Sequence, residues 1–114
     1  MSTPIIACDP SAFSASERER YDVLREQVRS AAGDVRETED GFALRFETKP
    51  AVLGALAEWI ALERLCCPFL DFVVEVPARQ GFATVLVSGP EGTKDVLREG
   101  IAQPLFSAVR LVRR

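Results

Sequence analysis

Residues 50–76 read PAVLGALAEWIALERLCCPFLDFVVEV, and in them a helix signal runs directly into a strand signal. Proline at position 50 suits the first turn of a helix, and apolar residues then recur at helical spacing. Pro68 predicts that this helix ends at or just before Cys67, because the residue before a proline disfavours helical backbone. Residues 69–76 then alternate apolar and acidic side chains, as a half-buried strand does. The segment indicates a domain that mixes helices and strands.

Further helices and strands are predicted on either side of this segment. Strand signals cover residues 5–8, 35–38, 42–47 and 82–87. Helix signals cover residues 16–32, which Ser14 and Glu17 open as a capping box, and residues 90–102. The predicted fold class is α+β, an antiparallel sheet of four to five strands with helices, in the ferredoxin-like order β-α-β-β-α-β plus a C-terminal β-α. Residues 104–114 have no clear period and are predicted to be a docked or frayed tail.

An internal regularity leaves a second architecture open. Residues 41–43 and residues 81–83 are both Gly-Phe-Ala, and Pro50 matches Pro90 at the same offset of 40 positions. Each matched segment leads from a strand into a helix. The alternative is therefore a tandem pair of ββα repeats that form a four-stranded sheet.

Composition narrows the classes of function. The chain has 114 residues, of which 47% are apolar, and this length predicts a single domain over residues 1–114. Fourteen Lys and Arg against seventeen Asp and Glu give a net charge of −3, so no nucleic-acid partner is expected. Histidine is missing, which excludes the commonest general base and every Ser-His or Cys-His dyad. No apolar run is long enough for a membrane span.

The cysteines are three in number, Cys8, Cys66 and Cys67. An odd count with two adjacent residues does not resemble a secreted disulfide framework, so reduced thiols in the cytoplasm are expected. The first residues carry neither a basic region nor a long apolar segment, and they therefore signal neither export nor organelle import.

Glu63, Cys66 and Cys67 form the most suggestive cluster in the sequence. At about 100° per residue they fall on the same side of the predicted helix as the apolar stripe. A carboxylate there must be paired, raised in pKa or open to a cleft. Thiolates with one carboxylate suit a soft cation such as Zn(II), Cu(I) or Hg(II). Cys8 is a conditional third thiol, if the first strand and this helix run in the same direction.

Two structural interpretations remain open beside the metal site. Buried cysteines often serve as small apolar core residues, and Glu63 could brace a neighbouring element through an arginine. The negative end of the helix disfavours a thiolate nucleophile, and adjacent cysteines in a helix do not form a simple disulfide. Glu63 as a general base is a third hypothesis, with no nucleophile or cofactor motif beside it, so whether the chain is an enzyme stays uncertain.

A second apolar side of the same helix suggests a partner. Leu62 and Leu65 point away from the stripe and require cover, which another helix or a second subunit could supply. The alternative function is therefore a non-catalytic homodimeric interaction module whose cysteines are structural.

The block Glu-Arg-x-Cys-Cys-Pro-Phe at residues 63–69 and the Gly-Pro-x-Gly-x-Lys motif at residues 89–94 carry a resemblance to known sequences. The chain resembles a group of small uncharacterised bacterial proteins over most of its length up to about Leu97, and it departs from their pattern after Gln103. The resemblance implies a bacterial protein but no activity. Together these observations predict a protein that binds a soft metal or thiol-reactive ligand through Cys66 and Cys67.

Overall fold

A computed structural model describes residues 9–99 and 111–112 of the chain. Its helices are a short 3-10 helix, Pro10–Ala12, followed by α1 Ala15–Ala31, α2 Pro50–Cys66 and α3 Thr93–Glu99. Ser14 and Glu17 form the predicted capping box, in which each side chain accepts a hydrogen bond from the other residue's backbone N–H. The helix α2 ends where the sequence predicts, because Cys67 leaves the helical conformation directly before Pro68.

The strands form one sheet whose order in space is β3-β4-β2-β1-β5. They are β1 Ala32–Glu37, β2 Gly41–Glu47, β3 Asp71–Glu75, β4 Phe82–Ser88 and β5 Leu111–Val112. The first four strands in that spatial order pair antiparallel, and β5 pairs parallel with β1. The predicted α+β class with an antiparallel sheet is therefore confirmed.

The described elements after α1 follow one another as β1-β2-α2 and then β3-β4-α3. This is the tandem ββα order that the offset of 40 residues predicts. The equivalent strands β2 and β4 lie side by side in the middle of the sheet, with β1 and β3 beyond them. The ferredoxin-like order also needs the strand predicted at residues 5–8, which lies outside the described residues.

Several boundaries differ from the prediction. The strand β1 starts three residues early, at Ala32, and its register shifts between Ala32 and Val35. The strand β3 starts late because the N–H of Leu70 donates to the carbonyl of Cys67, which holds the intervening residues in a turn. The helix α3 starts at Thr93 instead of position 90, because Thr93 closes a turn onto the carbonyl of Pro90.

The core lies between the helices and one face of the sheet. It contains Tyr21, Leu24 and Val28 from α1, Leu56, Trp59 and Cys66 from α2, and alternate residues of β2 and β4 such as Phe42, Leu44, Val85 and Val87. On β2 the side chains of Arg45 and Glu47 point to the other face of the sheet and are exposed.

Of the predicted tail at residues 104–114, the described part, β5, is docked on β1.

None of the helices in the described residues combines the length and the apolar composition that a membrane span requires.

Candidate functional site

The site lies where α1 packs against the last two turns of α2. Glu63 is 2% exposed and sits in the apolar side of α2, as the sequence predicts. The hydroxyl of Tyr21 on α1 lies 3.1 and 3.0 Å from the two carboxylate oxygens of Glu63 and donates to them. A buried carboxylate is thus met by a donor from the neighbouring helix, which lowers the cost of its burial.

The pKa of Glu63 is raised from 4.5 to about 7. Burial is the main cause, because it disfavours the charged form. The hydrogen bond from Tyr21, the positive charge of Arg25 and the indole of Trp59 oppose this shift. Arg25 also lies over the ring of Tyr21, 5.7 Å from its centroid. Near neutral pH the carboxyl therefore holds or releases a proton readily.

Trp59 places a second polar group beside Glu63. Its indole nitrogen is buried and has no hydrogen-bond partner among the described residues. The ring packs edge-on against Phe72, with centroids 5.8 Å apart, so the side chain is fixed in place. The indole N–H lies near enough to Glu63 to favour its carboxylate form, but it completes no hydrogen bond among the described residues.

Cys66 is a free and fully buried thiol. Burial raises its pKa to about 11, and the negative charge of Glu63 adds to that effect. A thiol with such a pKa is a poor nucleophile near neutral pH. The structure therefore agrees with the expectation that this end of the helix disfavours cysteine catalysis.

Cys67 closes the helix and takes part in a disulfide bond. Its N–H donates to the carbonyl of Glu63 at 2.7 Å, and its sulfur lies 3.4 Å from Oε1 of that residue. A disulfide sulfur has no hydrogen to donate, so this close approach becomes a hydrogen bond only when Cys67 is a thiol. Because Cys66 is free, the adjacent cysteines do not form a disulfide with each other. The expectation that every cysteine is a reduced thiol does not hold for Cys67.

The predicted third thiol, Cys8, lies outside the described residues. The next residue, Asp9, is described, and its N–H donates to the carbonyl of Cys66 at 2.7 Å. Asp9 also caps the following 3-10 helix by accepting from the N–H of Ser11 at 3.1 Å. The chain that follows Cys8 is therefore anchored at the end of α2, beside the cysteine pair.

The three predicted residues of α2 are brought together. One ligand atom from each of Glu63, Cys66 and Cys67 lies within 4.8 Å of the other two, and all three side chains are buried. Once the disulfide at Cys67 is reduced, two thiols and a carboxyl at such spacing can hold one metal ion after small movements of the side chains.

Neither Tyr21 nor Trp59 was predicted to be a member of the site. An arginine was expected as the group that braces Glu63. A signal was present, because a buried tyrosine or tryptophan usually requires a partner for its polar atom. The neighbouring Arg64 is exposed and points away, as its position on the helix predicts.

Comparison of the chain with known protein families, with curated proteins and with solved structures finds no match.

Proposed function

We propose that the chain, in its reduced form, binds one soft metal ion such as Zn(II), Cu(I) or Hg(II). Cys66 and Cys67 are the thiolate ligands, Glu63 is an oxygen ligand, and Cys8 is a third thiolate. The observation that carries the proposal is the mutual distance of at most 4.8 Å between ligand atoms of Glu63, Cys66 and Cys67. Soft thiolates favour these cations over Mg(II) or Ca(II), which prefer oxygen ligands alone.

Charge supports the same function. A carboxylate and a thiol with raised pKa values share a buried space, so their negative forms are costly without a cation. A bound cation reverses that cost, and the ligands lose their protons to solvent when it binds. Metal affinity should therefore rise with pH.

The disulfide at Cys67 makes binding depend on reduction. A small dithiol reduces the bond: two electrons and two protons pass to the two sulfurs, and the dithiol becomes a disulfide. Cys67 then becomes available as a ligand. The proposal calls for a compartment that keeps thiols reduced, the cytoplasm of a bacterial cell.

Native mass spectrometry under a phosphine reductant tests the proposal, together with competition for Zn(II) against a chromophoric chelator. The reduced chain is expected to bind one Zn(II), and the oxidised chain is expected to bind none. Replacing Cys66 or Cys67 with serine should lower the affinity by roughly tenfold or more. The variant Cys8→Ser measures the contribution of the third thiol.

Glu63→Gln and Glu58→Gln form a matched pair, because both residues lie on α2 and only Glu63 is buried. The first substitution should weaken Zn(II) binding and the second should not. If the reduced chain binds no Zn(II), or if the double variant Cys66→Ser, Cys67→Ser binds it equally well, the cysteines are structural.

A further inference from the structure

Exposed apolar side chains concentrate at one strand of the sheet. Of the five large hydrophobic side chains that are exposed in the described residues, three lie in or directly after β3. They are Val73, Val74 and Val76, which are 49%, 46% and 51% exposed. A run of exposed valines in a strand is a marker of an interaction surface.

The strand β3 is an edge of the sheet in the part of the chain that is described. It pairs on one side with β4, and its other side carries backbone N–H and C=O groups that can form hydrogen bonds with a further strand. Its partners in β4 show which face each residue occupies: Phe72 opposes Val87 and Val74 opposes Val85. The row of Phe72, Val74 and Val76 therefore lies on the face that carries the core.

The helix α2 covers only the start of that row. Trp59 packs on Phe72, whereas Val74 and Val76 remain about half exposed. This apolar row extends beyond the core along the free edge of β3. A second strand that pairs with this edge could cover the exposed valines with an apolar row of its own.

We propose that β3 pairs antiparallel with β3 of a second copy of this chain, about a two-fold axis at Val74. The two sheets then form one continuous sheet. The proposal is independent of the metal site.

The charges of β3 discriminate between registers. Residues directly opposite each other in an antiparallel pair lie on the same face of the sheet. The two core faces therefore coincide only if the two-fold axis passes between the same residue of each copy, and not between two successive positions of the strand. An axis at Val73 would set Asp71 opposite Glu75 twice, and an axis at Glu75 would set this residue opposite itself. Like charges directly opposite are unfavourable.

The register centred on Val74 avoids both conflicts. It sets Glu75 opposite Val73 of the second copy, and Phe72 opposite Val76. The rows of the two copies then join into one apolar band on the core face. An axis at Phe72 would instead leave Val76 beyond the paired segment.

Residues of opposite charge lie near each end of this pairing, where the register sets Asp71 of one copy opposite Pro77 of the other. Asp71 lies at one end of the strand, and Arg79 follows the other end in the turn, where its φ is 62°. The two-fold axis brings Asp71 of each copy to the end that precedes Arg79 of the other. A two-fold contact of this kind closes on itself and leaves no free edge at β3, so it yields a dimer and not a fibre.

Sedimentation velocity tests the proposal on the chain of 114 residues, with Val74→Lys and Val23→Lys as the matched pair. Both valines are similarly exposed, and Val23 lies on α1 and not in the sheet. We expect dimers for the wild type and for Val23→Lys, and monomers for Val74→Lys that still unfold cooperatively, since edge strands tolerate lysine. The variant loses only the concentration-dependent stabilisation that dimer formation gives to the wild type. A monomeric wild type, as expected if another segment or another protein covers β3, overturns the proposal.

Disulfide cross-linking tests the register without disturbing the fold. In the Val74→Cys variant the introduced thiols face each other across the axis, at a Cβ separation of about 5 Å, whereas in Val73→Cys they are diagonal at roughly 7 Å. Mild oxidation should cross-link the first variant faster and more completely, with the wild type as the blank. Equal or greater cross-linking of Val73→Cys overturns the register, and a dimer that survives Val74→Lys overturns the interface.

Discussion

The hydroxyl of Tyr21 on α1 bonds to both carboxylate oxygens of Glu63 on α2, at 3.1 and 3.0 Å. This contact joins the two helices inside the core and gives the buried carboxylate its donor. An exposed ion pair between Arg20 and Glu58 joins the same helices at 2.7 Å on the surface. The buried contact should matter more for stability, because solvent screens the exposed pair.

Replacing Tyr21 with phenylalanine should destabilise the fold by about 1 to 3 kcal/mol when Glu63 is ionised, because a buried charge loses its donor. The loss should shrink once Glu63 is protonated. Denaturant unfolding above pH 7 and below pH 4.5, on either side of the titration of Glu63, measures both values. The control is Arg20→Gln, which removes the exposed link between the same helices and should have a smaller effect. Equal losses in the two variants would contradict the role assigned to Tyr21.

Glu63 should make the metal-free protein less stable as the pH rises. Its pKa is about 7 in the folded chain and 4.5 without the fold, so its contribution is fully present below pH 4.5 and is lost as the pH rises through 7. The shift corresponds to a loss on the order of 3 kcal/mol. Thermal unfolding with a chelator present, followed across this pH range, measures the loss.

The same experiment on Glu63→Gln should give a nearly flat profile between those pH values. Glu26, Glu37 and Glu58 have lowered pKa values, so they change the stability only below pH 4.5. There the protein becomes less stable as the pH falls, which is the opposite sign to the effect of Glu63. The variant Glu58→Gln should therefore keep the wild-type slope. A slope that persists in Glu63→Gln would assign it to another group.

Cys66 should resist alkylation in the folded protein. Its thiol is fully buried and its pKa is raised to about 11, so little thiolate is available near neutral pH. Iodoacetamide treatment before and after denaturation, followed by peptide mapping, should place the label on Cys66 only in the denatured sample. Rapid labelling of the native chain would show that the end of α2 opens easily.

Gly41 should tolerate no side chain. A Cβ atom at this position would lie 1.7 Å from the carbonyl oxygen of Val87 and 2.8 Å from Cα of Ser88, both on the neighbouring strand β4. Gly41→Ala should therefore cost about 3 kcal/mol or more, because backbone must move. The control Gly54→Ala meets nothing within 4 Å and should stabilise α2 by up to about 1 kcal/mol. Denaturant unfolding compares the two.

Local signals in the sequence were sufficient for the three α-helices and for most of the strands in the described residues, but they did not predict the 3-10 helix Pro10–Ala12. The capping box at Ser14 and Glu17 and the stop at Pro68 act through neighbouring residues, so their effects are visible without a fold. The register shift in β1 and the turn ahead of β3 were missed, since each depends on bonds that form only when the chain is folded.

The candidate site divides in the same way. Helical geometry places residues three and four positions apart on one side of a helix, so the shared side of Glu63, Cys66 and Cys67 was predictable from their spacing. The donor to Glu63, which is Tyr21, and the disulfide at Cys67 became visible only in the folded chain. Contacts between residues far apart in the chain depend on how α1 and α2 pack, and the periodicity of one helix carries no information about its neighbour.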